Sequence, residues 1–285
     1  MTIYTNQLVM TCATPSSWQS AQRWAQQEHW DLGYNDSSHF FTVDPQGFFL
    51  GSIEQHAVSA ISIANFDSTY AHLGHYLVDP VWRGKGVGLQ LWETAINHAG
   101  KRCIGLDGMP AQVKNYQRSG FVTHYRTLRI TGQPKRLLKS QAVHLTVNAV
   151  ALSRLIEWDS TIVGYSRSKL LSDWFSGPER WGFYSEDGQG VNGLIGIRKS
   201  DAGYRIGPLH AINRTVITNL LEAALSKIPH DECVTIDVPD FAEDMVQACE
   251  NLGLKILFHT HRMYRGVPPH SDFHKIKALA SLELG

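Results

Sequence analysis

The stretch Leu73–Leu91, LGHYLVDPVWRGKGVGLQL, decides how the whole chain is read. Leu73 to Val78 is an apolar run of strand character. Asp79-Pro80 stops it, and Gly84, Gly86 and Gly88 open a segment whose continuation, Leu89 to His98, has helical periodicity. A strand, a glycine loop and a helix N-terminus in that order form an anion site. The free amides of the first helical turn point outward, the helix dipole favours negative charge, and glycine lets the loop take positive φ under a phosphate. Arg83 and Lys85 add positive charge. A glycine-rich surface turn is the plain alternative, and three glycines alone would not exclude it.

The spacing is not that of the Walker loop, because no Gly-Lys-Ser/Thr follows. The dinucleotide pattern fails too, because the third glycine comes one residue early. Arg83-Gly84-Lys85-Gly86-Val87-Gly88 instead resembles the Arg/Gln-x-x-Gly-x-Gly/Ala loop of the GNAT acetyltransferase superfamily, and Val78-Asp79-Pro80 fits the strand end before it. The resemblance implies a mixed α/β sheet and acetyl-CoA as co-substrate. It assigns the pyrophosphate to Arg83–Leu89, the pantetheine arm to Leu77 and Val78 at a strand end splayed from its neighbour, and the oxyanion to a backbone N–H near Val78.

Bulk composition leaves room for such a local site. In 285 residues, 26 basic and 26 acidic side chains balance to zero net charge, so nothing calls for nucleic acid or a membrane surface. The length suggests about two domains. Cys12, Cys103, Cys233 and Cys249 show no close pairing and read as buried thiols in a reducing compartment. With no basic-then-apolar leader and no run of spanning length, the expectation is a soluble, cytoplasmic protein. A homodimer stays open.

Along the chain, Ile3–Met10 reads as a first strand, and Ser16 or Ser17 as the cap of a helix with Trp18, Ala21, Trp24 and Ala25 on one face. The loop Trp30–Asp36 precedes a helical stretch to Val43. In the resembled family this region borders the acceptor, which makes Trp30, Asp31, Asn35 and Asp36 candidate acceptor contacts; a loop folded under its own tryptophan is the alternative. Strands follow at Phe48–Ile53 and Ala57–Asn65, then the central strand, the loop and its helix, ended by Gly100. Arg102–Asp107 is another strand and Gln112–Ser119 a short helix before Gly120-Phe121. The resemblance places a catalytic tyrosine four residues before that Gly-Phe pair, at Tyr116. The asparagine many members carry seven residues earlier is Met109 here, and Gln112 or Asn115 are its candidate substitutes.

Val122–Ile130 completes a first domain, residues 1–132, and the basic segment 133–141 reads as a linker. The order of elements then repeats over 142–285. Cys103-Ile-Gly-Leu-Asp107 with Gly120-Phe121 parallels Cys233-Val-Thr-Ile-Asp237 with Gly253-Leu254. Where the first copy has its glycine loop, the second has Pro208-Leu-His-Ala-Ile-Asn213, and Cys249 stands in the tyrosine position. The expectation is a tandem of GNAT-like acyl-CoA N-acyltransferase domains, the second degenerate and without a cofactor of its own.

Amine acylation needs proton removal from the amine, donors for an oxyanion and an acid for the thiolate. The resemblance gives the acid to Tyr116. For the base, His72 and His75 are both candidates. A regular strand would send them to opposite faces, so at most one would see the acceptor. His259 and His261 share a strand face, but no third ligand is evident, and they read as surface histidines rather than a metal pair. The function expected is transfer of an acetyl group to a small or amino-acid-like primary amine. A protein lysine or N-terminus, or a CoA-binding scaffold without turnover, stays as the alternative.

Overall fold

The computed structural model describes residues 8–135 and 144–285. The first half contains β1 (Val9–Cys12), α1 (Gln19–Gln27), α2 (Asp36–Val43), β2 (Phe48–Ile53), β3 (His56–Asn65), β4 (Tyr70–Val78), α3 (Val87–Ile96), β5 (Cys103–Gly108), α4 (Val113–Arg118) and β6 (Val122–Gly132). The second contains β7 (Leu145–Thr146), α5 (Ala149–Val163), α6 (Ser168–Trp174), β8 (Arg180–Asp187), β9 (Gly190–Ser200), β10 (Gly203–Ala211), α7 (Arg214–Leu225), β11 (Val234–Pro239), α8 (Glu243–Asn251), β12 (Lys255–Arg265) and β13 (Ile276–Ala278). The element order repeats, with β4–α3–β5–α4–β6 answered by β10–α7–β11–α8–β12.

The two halves share one mixed sheet of order β1-β2-β3-β4-β5-β12-β6-β11-β10-β9-β8-β7, with β13 beside β10. Nothing in the hydrophobic pattern announced this interleaving. β12, from the second half, lies between β5 and β6 of the first, while β6 borders β11 of the second. Thr127 of β6 stands opposite Thr260 of β12, with Leu128 opposite His259 and Arg126 opposite His261, as a local two-fold relating the copies requires.

One sheet face carries α3 and α4 over Ile61, Ile63, Ala71, Leu73, Ile104 and Met263. On the other, Trp18, Phe40, Phe48 and Tyr70 join Leu155, Leu170 and Trp174 of the second half in a common core. Phe40 and Trp174 stack there at 6.3 Å. Burying rings from both halves in one cluster ties the copies together through the hydrophobic effect.

Several local readings change. α1 begins at Gln19 without a side-chain cap, because Ser17 Oγ turns back to accept from Thr14 N at 2.9 Å. α3 begins two residues earlier than its apolar periodicity suggested, directly after Gly86. Cys12 and Cys233 are exposed, not buried; all four thiols are free. The expected first strand and the linker fall partly outside the described residues, with Arg136 and Lys139 among those not described.

Candidate active site

β4 pairs with β5 in parallel only from Tyr70 to His72. Beyond that point the strands diverge, and β4 is also bulged against β3, where Ala60 faces Leu77 but Ser62 faces Gly74. His75 sits in the bulge at φ +47°, a conformation unusual for a residue with a Cβ. The opened strand pair leads straight into the glycine loop. Asp79 caps the turn by accepting from Val81 N at 2.9 Å, Gly84 and Gly86 take φ +74° and +84°, and α3 starts at Val87. Left-handed backbone at both glycines aims the loop amides together toward the helix N-terminus. Arg83 donates from Nε to the Val78 carbonyl at 3.0 Å and pairs with Glu28, and the Lys85 ammonium lies 4.8 Å over the Trp82 ring. At Gly88 a Cβ would come within 2.7 Å of the Tyr76 hydroxyl, so α3 can approach β4 this closely only through glycine.

Tyr116 lies on the α3 face. Its ring covers Gly108, where a Cβ would fall 2.7 Å from Cε2, and packs near Trp92 and Phe121 with centroids at 5.7 and 6.2 Å. Burial, with Tyr76 nearby, pushes its phenol above the ordinary value of 10.0, so it holds its proton.

The bulge corrects the expectation for the two histidines: both face the core shared by the two halves. His75 packs against Trp18, Phe40 and Phe48, and its Nδ1 is 2.9 Å from Ser62 Oγ. Burial lowers its pKa to about 4. His72 is bracketed by the Tyr70 hydroxyl at 2.9 Å from Nδ1 and the Leu282 carbonyl at 3.2 Å from Nε2. A carbonyl only accepts, so Nε2 carries the hydrogen and Nδ1 accepts from the phenol. Burial and then Arg262 hold His72 well below 6.5. Both imidazoles stay neutral, and neither nitrogen of His72 is free for a substrate.

The Trp30–Asp36 loop is largely spent on joining the halves. Asp31 accepts from Ala202 N at 2.9 Å through Oδ1 and from Arg205 at 2.8 Å through its carbonyl. Asp36 is buried between Arg180 and Arg198. Burial alone would raise its pKa, but the two guanidiniums hold it low. Asn35 is exposed at φ +59°. Trp30 alone of these turns toward the site, its ring centroid 6.2 Å from that of His75.

The second copy's counterpart slot is filled from within. β13 pairs with β10, and Leu279 N donates to the Asp237 carbonyl of β11 at 2.9 Å, so Ile276–Leu279 runs in the gap between those strands. At the matching helix start, the Asn213 side chain accepts from Val216 N at 3.0 Å, using an amide that a bound anion would need.

Residues 7–121 match the acetyltransferase (GNAT) family and residues 155–276 an acetyltransferase (GNAT) domain. A holothin acyltransferase from Pseudoalteromonas sp. (strain SANK 73390) is 44% identical over 96% of this chain and 93% of that protein. The chain belongs to the GNAT acetyltransferase family. It is an acyltransferase built from two GNAT halves. Solved structures share the fold at lower identity. A candidate acetyltransferase of Pyrococcus horikoshii superposes with a TM-score of 0.85 at 19% identity, covering 99% of this chain and 98% of that one. A tandem GNAT protein of the clavulanic acid biosynthesis pathway superposes at 0.63 and 14%, covering 90% and 98%. Among the described residues no helix is long and apolar enough to cross a membrane.

Contacts that sequence reasoning did not single out include Ser62, Tyr70, Arg262 and the final segment 281–285. Arg262 was accessible from the repeat, since it stands eight residues after Leu254 as Arg129 stands eight after Phe121.

Proposed function

We propose that this GNAT protein transfers an acetyl group from acetyl-CoA to a primary amine of a small or amino-acid-like acceptor in the cytoplasm. The observation that carries the reading is the opened strand pair. β4 and β5 part next to the glycine loop, while the equivalent gap between β10 and β11 holds β13. In this reading Gly84–Leu89 amides and Lys85 receive the pyrophosphate, and the free edge of β4 near Leu77 and Val78 bonds the pantetheine arm. Tyr116, kept protonated, gives its proton to the departing thiolate.

A small acceptor is favoured over a protein lysine or N-terminus because the opposite face of β4 is covered, with Trp18 and Phe40 packed on His75 and Glu283 laid on Gly74. Trp30 is the aromatic side chain positioned to line the acceptor's place. The relative's acceptor, holothin, is the first compound to try beside a panel of primary amines.

Calorimetric titration of acetyl-CoA into the wild type and into Gly86→Glu tests the donor half. One site per chain, lost in the variant, is expected, because a carboxylate at φ +84° both strains the loop and repels the phosphates. Two sites per chain would mean that the second half also binds donor. No binding would favour a scaffold role with another ligand.

A further inference from the structure

Glu283 has no role in the scheme above, yet the fold brings it to the reacting edge. The chain leaves β13, turns through Ser281, whose Oγ accepts from Glu283 N and Leu284 N at 3.1 Å each, and lays Glu283 on Gly74 of β4. The approach is so close that a Cβ at Gly74 would collide with the Glu283 carbonyl oxygen and lie 3.1 Å from its Cα. Gly74 is two residues past the last β4–β5 pair, at the mouth of the opened gap. Glu283 is only 4% exposed, and its Oε2 has no hydrogen-bond partner among the described residues.

The groups nearest to it have partners of their own. Its charge acts on His75 of β4 and on Arg129 of β6, with Asp36 of α2 acting on His75 from farther round; His72, also on β4, is bonded to Leu282 next in the chain. Arg129 has given Nε and Nη2 to Asp237 and Nη1 to the Trp30 carbonyl. His75 has Nδ1 on Ser62. A buried carboxylate oxygen without a donor is costly, and a substrate N–H placed in the gap would satisfy it.

We infer that Glu283, delivered by the second half, is the carboxylate that binds the acceptor nitrogen and takes its proton. The inference rests on the proposed amine acetylation. As the nitrogen–carbon bond forms and the carbon–sulfur bond breaks, Glu283 accepts the proton shed by the attacking nitrogen and Tyr116 supplies one to the thiolate sulfur. Water then returns both residues to their starting states. An acceptor arriving as an ammonium releases one further proton to solvent. The neutral histidines serve as positioning residues, with His75 packed beside the carboxylate. The assignment also gives the degenerate half a chemical task, the supply of the base.

The test compares wild type, Glu283→Gln, Glu283→Asp and Gly74→Ala for acetyl-CoA binding by calorimetry and for transfer to the amine panel and to holothin across pH. Glu283→Gln should bind donor as the wild type does and lose about a hundredfold or more in kcat. Glu283→Asp should recover part of the rate. Gly74→Ala keeps the carboxylate but displaces its backbone; it should lower kcat with donor binding retained, and it decides the matter if Glu283→Gln fails to fold. An unchanged kcat and pH profile in Glu283→Gln overturns the assignment while leaving the acetylation intact. Absence of transfer by the wild type to every acceptor overturns the acetylation itself, and this inference with it.

Discussion

Arg129 on β6 grips Asp237 on β11 through two N–H···O bonds of 2.8 and 2.9 Å, and both side chains are buried. The local two-fold repeats the arrangement: Arg262 on β12 donates to Asp107 on β5 at 2.6 and 3.0 Å. Each half thus supplies an arginine to the other half's aspartate, on either side of the Thr127–Thr260 pair, and both threonine hydroxyls lean on Asp107 at 3.1 and 3.4 Å. The copies are not equivalent in charge. Asp237 also faces Arg205, and although burial would raise its pKa, the two guanidiniums hold it below the usual carboxylate range. Asp107 has one guanidinium and is pushed up by burial.

Removing Asp237 should therefore cost more than removing either arginine that meets it. Asp237→Ala leaves Arg129 and Arg205 buried without their shared anion, a loss of about 3–5 kcal/mol. Arg129→Met leaves Asp237 bonded to Arg205 and should cost visibly less. Urea unfolding of the two variants makes the comparison; equal losses would show that Arg205 does not share the load.

A chain cut after residue 132 should not yield a folded first half. β5 and β6 do not pair with each other; β12 lies between them and β11 flanks β6 on its other side, so the fragment would expose three unpaired strand edges, one on β5 and two on β6, and uncovered apolar surface. The isolated fragment is expected to aggregate or stay unfolded by circular dichroism and gel filtration, whereas coexpression with residues 142–285 should restore a soluble complex. A monomeric, cooperatively melting fragment would contradict the shared sheet as the source of stability.

How much of this was legible beforehand follows from range in sequence. Local signals carried well: the Asp79-Pro80 stop, positive φ at Gly84 and Gly86, and the repeat built on Cys103–Asp107 and Cys233–Asp237 all depend on neighbours a few residues apart. The strand exchange depended on which edge β12 would meet, and nothing in LKILFHTHRMYR states that. His72 and His75 were expected on opposite faces because period-two reasoning assumes an unbroken strand, and the bulge between Ala60 and Ser62 breaks it. Glu283 was missed because its meaning comes entirely from Gly74, more than two hundred residues away. The acceptor loop was read for a ligand when most of its polar groups bind the other half. Asp31 and Asp36 are of the right chemistry, but the Ala202 amide meets the Asp31 carboxylate and arginines of β8 and β9 hold Asp36.

The buried His75 makes stability fall on the acid side of neutrality. Its folded pKa of about 4 lies below the ordinary 6.5, so as pH drops the unfolded chain takes up the proton first. Stability is full above the higher value and declines until the lower one is passed, by about 3 kcal/mol for this residue. His72 and His210, also lowered by burial, add to the same slope. His75→Gln, which can still meet Ser62, should show a shallower decline of unfolding free energy over that window. An identical slope would mean that His75 is protonated within the fold.

Tyr116 is testable in two independent ways. Tyr116→Phe removes the proton donor but keeps the ring against Trp92, so acetyl-CoA binding should hold while kcat falls by about a hundredfold. Gly108→Ala keeps the phenol but drives a methyl group into its ring, at 2.7 and 2.8 Å from Cε2 and Cδ2, and should lower kcat by moving the hydroxyl from its place. Because the phenol titrates above its ordinary value, neither the wild type nor Gly108→Ala should show a Tyr116 inflection on the alkaline side of an ordinary assay. If Tyr116→Phe transfers acetyl at the wild-type rate, the thiolate leaves without help from this side chain. A loss in Gly108→Ala would then report a disturbed donor gap between β4 and β5, which donor titration of that variant would reveal as weakened acetyl-CoA binding.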